Sequence, residues 1–427
     1  MTSDANAVDP AGVSVKSRMT GLFATAAILS AAYGVFAILL NSVGTVILQS
    51  IVYFRVDNVT ASTLEAFKDL TIAVVSFIIA AQLPRFGLKR SMLAALAIAG
   101  AGCVLVPLAD VFWATQAMFF CTGFGFALMK VSVYSAVGLL SDSTATHARL
   151  LGIIEAVFMT AVVASAWIFA YFIDPTDAAS SSWLDTYWLL AALCLVAGLL
   201  VAVMQIDESR LAEEAEGKPA SVAFREMIAL VVLRVTQIFV VGVFLYVFIE
   251  QGLGTWLPTI NHQMLGLDGQ IAVQAASAFA LAIAAGRFCA GLVVTRVGWF
   301  ALLMGCFVGM ALILGVVPSM AAAVDGRQVT NWGDVPFVTF VLPAIGFFMA
   351  PIYPTLNSVV LSSIPPAKQA GLIGLIVVFS ALGGTAGSRM VAELFSAIPS
   401  ADVLYSLLLP IILLAAATVW LRRLAQA

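Results

Sequence analysis

Long uninterrupted apolar runs are the feature that most limits what this chain can become. Twelve of them lie near residues 20–47, 66–83, 91–109, 112–140, 148–173, 184–206, 227–257, 271–294, 299–321, 335–363, 368–397 and 402–424. A helix crosses the hydrocarbon of a bilayer in about 20 residues, whereas barrel strands would show about 10 residues of strict alternation. The runs fit helices. Of the 427 residues, 62% are hydrophobic and 10% charged, against roughly 25% charged in a soluble domain. Too little polar surface exists to face water on all sides, so the solvent of this chain is lipid. The expected class is an all-α membrane protein with twelve transmembrane helices.

The same composition removes other classes. A net charge of −3 excludes a strongly basic nucleic-acid binder. Cys103, Cys121, Cys194, Cys289 and Cys306 all fall inside apolar runs, no CxxC occurs, and the histidines are His147 and His262. Neither a disulfide scaffold nor a metal site is expected, and no cofactor is implied. No glycine-rich phosphate loop follows a strand, so nucleotide-driven pumping has no support. No paired-acid or histidine-rich constellation marks a membrane enzyme. Met1 to Ser17 lacks a signal-peptide pattern, and the run from Met19 reads as a retained span.

Lysine and arginine placement sets the topology. With the N-terminus inside, the inner segments collect Lys16, Arg18, Arg85, Lys89, Arg90, Arg149, Arg210, Lys218, Arg225, Arg296, Lys368, Arg422 and Arg423, while Arg55, Lys68 and Arg327 fall outside. The outer loops are acidic, with Asp110, Asp174, Asp177, Asp185, Asp268, Asp325 and Asp334. Both termini are therefore expected in the cytoplasm of a cell whose inner membrane holds the protein. The most polar stretch, 207–226, reads as a solvated linker between a bundle at 1–206 and a bundle at 227–427. Arg85-Phe86-Gly87 after the second run is echoed by Arg296-Val297-Gly298 after the eighth. Paired six-helix repeats with a binding site between them are a plan used by transporters.

Ionisable residues inside the runs are costly, at least about 2.5–3.5 kcal/mol each at mid-bilayer, so they should face a wet path or each other. They are Lys130, Glu155, Arg234, Glu250, Arg287, Arg389 and Glu393. Lys130 lies about 15 Å from the inner end of its span and Glu155 about 10 Å into the next, at roughly 1.5 Å per residue. Adjacent antiparallel helices put them at similar depth. Two readings stay open: a cavity cation for an anionic or hydroxyl-rich solute with Glu155 as counter-ion or proton carrier, and a permanent ion pair. Glu250 precedes Gly252 and Gly254, where a helix break can expose backbone, and is a second proton-coupling candidate beside a rim-carboxylate reading. Arg389 and Glu393 share a face at i,i+4. With Arg85, Arg287 and Arg296 they form the candidate gating set, alongside a self-satisfied pair (Arg389, Glu393) and a snorkelling anchor (Arg287). Asn41, Gln49, Gln251, Trp256, Tyr353 and Asn357 could bind a hydroxylated solute through amides and ring faces, or could simply tie helices together. Tyr353 between Pro351 and Pro354 also marks a kink.

Several stretches carry a family resemblance. Leu83-Pro84-Arg85-Phe86-Gly87-Leu88-Lys89-Arg90 resembles the loop signature of the major facilitator superfamily, with Pro84 where that family usually has aspartate. The runs at 244–258, 346–358 and 379–388 resemble spans seven, ten and eleven of its fucose/glucose permease branch. The resemblance implies two pseudo-symmetric six-helix bundles. It also implies a monomer that takes up a monosaccharide or related solute with a proton by alternating access. It makes spans three, six, nine and twelve lipid-facing, and these are the spans without internal charges. Where the branch has an acid in span one this chain has Asn41, and span four offers Lys130, which suits an organic anion equally well. Drug exporters of the superfamily show an arginine before the span-four glycines; Phe119 stands there. A non-transporting sensor on the same fold would need larger soluble parts.

Overall fold

The structure, a computed structural model, describes residues 15–80, 86–141, 143–206, 208, 228–324, 327–363, 366–398 and 400–426. Among these, eleven helices are long and apolar enough to cross a membrane. The run predicted near 66–83 forms the helix Thr63–Ala80, which is not one of these eleven and carries Glu65, Lys68 and Asp69 within its 18 residues.

The first bundle comprises α1 (Val15–Asn41), α2 (Val43–Tyr53), α3 (Asn58–Ala61), α4 (Thr63–Ala80), α5 (Leu88–Ala109), α6 (Phe112–Leu140), α7 (Thr144–Phe172) and α8 (Thr186–Val203). The second comprises α9 (Arg234–Gly254), α10 (Leu257–Leu265), α11 (Gly269–Val297), α12 (Trp299–Ala322), α13 (Val338–Val341), α14 (Ile345–Met349), α15 (Ile352–Ser363), α16 (Pro366–Ala397), α17 (Ser400–Ser406) and α18 (Leu408–Gln426). The predicted linker lies outside the described residues except for Glu208. That carboxylate accepts the backbone N–H groups of Leu88 (3.1 Å) and Lys89 (2.8 Å) and so caps α5.

Breaks fall where the sequence places helix-breaking residues. The first span is interrupted at Ser42, between α1 and α2. The seventh stops at Gly254 and restarts as α10 with Pro258 in its first turn. The tenth is split into α13, α14 and α15, with Pro343 and Pro351 at the joints. The kink expected beside Tyr353 is the joint between α14 and α15.

Glycines set the closest approaches. A Cβ on Gly387 would lie 2.1 Å from the Phe248 carbonyl oxygen, and one on Gly383 2.4 Å from that of Phe244. The α16 backbone therefore rests directly on α9. The helices of spans three, six, nine and twelve present Leu108, Leu195, Leu199, Leu312, Ile412 and Leu413 outward, as helices that face lipid must.

The face holding the start of α1 and the end of α18 is termed the terminus face; the opposite one, where α3 and α10 lie, is the far face. Replacing Gly387 by leucine should overpack the α9–α16 contact and cost about 1–3 kcal/mol, read as a lower melting temperature in detergent. Gly138, with nothing within 4 Å of its Cβ direction, should accept alanine with an unchanged or slightly raised melting temperature.

Candidate functional site

The two bundles meet along α4–α16, α7–α11, α2–α10 and α3–α16. Among the described residues, the side-chain hydrogen bonds joining them all lie between mid-span and the far face. Gln270 Nε2 donates to the Ala170 carbonyl (3.0 Å), Trp167 Nε1 to Ser277 Oγ (3.2 Å) and Arg389 to the Val59 carbonyl (3.2 Å). The deepest is Arg287 on Met159 Sδ at 3.7 Å. Trp167 also stacks on Trp332 of the second bundle, ring centroids 6.4 Å apart and planes 4° from parallel. Backbone approaches tighten this seam: a Cβ on Gly44 would meet the Thr255 carbonyl oxygen at 2.4 Å. From mid-span to the terminus face, α7 and α11 expose Gly152, Ile153, Phe288, Gly291 and Leu292 instead. The arrangement is closed at the far face and parted at the other.

Within the seam lies a charged cluster that the sequence reading missed. The sequence places Lys68 outside the membrane, at the start of the second run. It is instead 5% exposed, with Glu65 at 0% and Asp69 at 8%. Its Nζ sits 2.5 Å from Glu65 Oε1 and 3.5 Å from Asp69 Oδ1. The Thr255 hydroxyl of the second bundle is 3.0 Å from both Glu65 Oε2 and Gln251 Oε1. It has one proton to give, and the charged acceptor forms the stronger bond. Gly384 closes the other side, since a Cβ there would come within 2.5 Å of Asp69 Oδ2. Gly123 of α6 lets the α4 backbone in from behind, its Cβ direction pointing at the Lys68 carbonyl oxygen. Three charges in five residues read as part of a loop; only the small residues around them, Gly123, Thr255 and Gly384, reveal a buried site. The remaining signal was the glycines themselves.

Arg389 and Glu393 form the expected pair, Nε to Oε1 at 2.8 Å, but the guanidinium also crosses the seam to Val59. That carbonyl is presented by α3, which Asp57 caps by accepting the Thr60 N–H at 2.6 Å. The same hydrogen bond holds the Asp57 carboxyl below the usual carboxylate range.

Lys130 and Glu155 are not an ion pair, as no nitrogen–oxygen approach within 4.0 Å joins them. Glu155 instead accepts the Tyr134 hydroxyl at 2.6 Å. Lys130 is exposed although it lies mid-span, its nitrogen 5.7 Å from the centroid of the Phe126 ring. Lys130, Tyr134 and Gly138 form one exposed stripe of α6 running toward the terminus face. Tyr33 packs behind it, its ring 4.6 Å from Phe158 and 5.9 Å from Phe126. The result is one free ammonium, one carboxylate and an aromatic wall on the first bundle.

Other predicted residues are dispersed. Glu250 accepts the Tyr246 hydroxyl at 3.0 Å and makes no ion pair within 4.0 Å among the described residues, with Arg287 its main electrostatic partner. Tyr353 lies against Tyr246, ring centroids 5.5 Å apart. Asn357 Oδ1, one turn on, is buried without a partner. Asn41 is exposed and donates only to the Ala37 carbonyl of its own helix. Gln49 is buried in the far-face seam near Gly269, not in the cleft. Trp256 is fully buried, donating to Ser388 Oγ at 3.0 Å and stacked on Phe395. It packs the second bundle rather than lining a solute path. Arg296 is exposed at the end of α11, and Arg85 lies outside the described residues. Among the described residues no cluster of histidine, cysteine or acidic side chains could hold a metal ion.

The sequence matches the family model of the Major Facilitator Superfamily over residues 19–388. The chain belongs to that superfamily. No curated protein matches it. Solved structures give the same fold at low identity. The nucleoside transporter NupG is 12% identical, with a TM-score of 0.71 over 94% of this chain and 99% of that one. A D-xylose-proton symporter is 15% identical, TM-score 0.67, over 93% and 97%. FucP in its outward conformation is 15% identical, TM-score 0.58, over 94% and 99%. The fold expectation of two six-helix bundles therefore holds for this superfamily member.

Removing the ammonium of the cluster leaves two buried acids without the cation they share. Lys68→Met should destabilise the protein by about 3–5 kcal/mol, seen as lost monodisperse yield or a much lower melting temperature. Adding Glu65→Gln to it should recover part of that loss.

Proposed function

We propose that this superfamily member is a secondary transporter that carries a small polar solute across the inner membrane by alternating access. The observation that carries the proposal is the asymmetry of the contact between bundles, sealed from mid-span to the far face and parted toward the other. An unpaired mid-span lysine sits on the parted side. A charge at that depth is tolerable when water reaches it, and a path that is wet from one side only is what alternating access requires. The proposed cytoplasmic placement of both termini makes the parted side the inward one.

The solute class follows from the wall around Lys130. Aromatic faces and neutral polar groups suit a hydroxylated compound such as a monosaccharide. The symporters for xylose and fucose among the structural neighbours are consistent with that class. The free ammonium favours a second reading, an organic anion whose carboxylate would balance Lys130. Tyr353 and Asn357 on the second bundle are the proposed partners across the path. Glu155, beside Lys130 and held only by Tyr134, is the proposed proton carrier on this side, and Glu250 the corresponding acid near the far face.

Monosaccharides, sugar acids and other small organic anions should be screened by thermal shift, where a ligand at 100 times its dissociation constant adds about 2.7 kcal/mol. Hits should then be taken up by proteoliposomes under an imposed pH gradient. Lys130→Ala should weaken uptake of an anionic solute by tenfold or more, the effect of about 1.4 kcal/mol, and Glu155→Gln should uncouple uptake from the gradient. Full affinity and rate in Lys130→Ala would remove the lysine from the site.

A further inference from the structure

The seam cluster holds more negative than positive charge in a place that water does not reach. Glu65, Lys68 and Asp69 supply two acids and one base, and all are at least nine-tenths buried. Neighbouring elements do not correct the imbalance. Lys130 on α6 and Arg389 and Glu393 on α16 make no ion pair with the cluster, Asp57 caps α3, α2 ends in Tyr53, and Glu250 on α9 is faced by its own cation, Arg287 of α11. An uncompensated buried carboxylate is strongly disfavoured, and the group takes up a proton instead.

Geometry selects which acid. Glu65 receives two donors, the Lys68 ammonium and the Thr255 hydroxyl. Asp69 has the same ammonium at 3.5 Å, and no other donor among the described residues reaches it. Its second oxygen faces Gly384 of the opposite bundle, close enough that a Cβ there would clash. One ammonium lies within 3.5 Å of both carboxyl groups, and a single positive charge offsets only one of two buried negative ones. Glu65, which holds the closer ammonium and the Thr255 hydroxyl, stays ionised, and Asp69 is neutral.

We propose that Asp69 is a proton-binding site linked to the closure of the far face. With the seam open, Asp69 meets water and ionises. Closure brings Gly384 onto its carboxyl and Thr255 onto Glu65, and requires one proton from the far-side solution to settle on Asp69. The proton leaves to that side when the seam reopens. This rests on the alternating-access reading above, but it places proton linkage in the seam, apart from the solute wall. Acid therefore favours the closed far face and base the open one.

The test is a distance measurement across the far face. Spin labels at Asp177→Cys and Thr330→Cys, one on an exposed far-face loop of each bundle, are introduced after replacing the native cysteines, with the protein in nanodiscs. Between about pH 5 and 9, the wild-type population should move from short to long distances, changing by at most tenfold per pH unit as one proton allows. Asp69→Asn should stay short throughout. Gly384→Leu, a wedge in the seam, should give long distances at every pH. A wild-type distribution that ignores pH while Gly384→Leu lengthens it would overturn the proton site and leave alternating access standing. If Gly384→Leu does not lengthen it either, both ideas fall. An Asp69→Asn protein that keeps the wild-type pH response would also overturn the assignment.

Discussion

Burying charge between two helical bundles is the constraint on which the rest of this structure turns. Lipid rejects ionised groups, and this chain nonetheless keeps several within its membrane depth. Each must be paired, hydrogen-bonded or wet. Glu65 and Lys68 meet the requirement by mutual pairing in a sealed seam with Asp69 beside them, Arg389 and Glu393 by a pair that also grips Val59, and Glu155 through Tyr134. Lys130 has no such partner and is exposed to solvent. The structure thus separates the charges that tie the two bundles together, at the pair of Glu65 with Lys68 and at Arg389, from Lys130, which faces the parted side.

Small residues make that sorting possible. Gly123 admits the backbone of α4, Gly384 lies over Asp69, and Gly44 brings α2 against the break after α9. A larger side chain at any of these points would separate helices whose contact keeps water from the cluster. Gly383 and Gly387 act differently. They press α16 onto α9 within one bundle, so those two helices move as a unit while the seam on the other side of α16 is free to part. Rigid pairs and a separable seam, both built from glycine, are what a rocking motion needs.

Much of this was legible in the sequence. The runs, the break at Gly254, the kink at Pro351 and the i,i+4 pair of Arg389 and Glu393 follow from local chemistry that needs no tertiary information. So does the comparable depth of Lys130 and Glu155, since helical rise converts residue number into distance. Which way those two side chains turn does not follow, and the ion pair that depth allows is absent. The seam cluster was illegible for a specific reason. Charge density near the start of an apolar run is the usual sign that the run has not yet begun, and Lys68 was counted outside accordingly. Trp256 misled in the opposite sense: an aromatic with a polar tip suits a ligand wall, but its indole is satisfied by Ser388 in the packed interior.

The parallel stacking of Trp167 on Trp332 has a consequence of its own. One indole belongs to each bundle, and they touch across the closed far face. Excited-state coupling between two indoles falls steeply as they separate, so the molecule carries an intrinsic optical gauge of its own gate, readable in ultraviolet light without any attached dye.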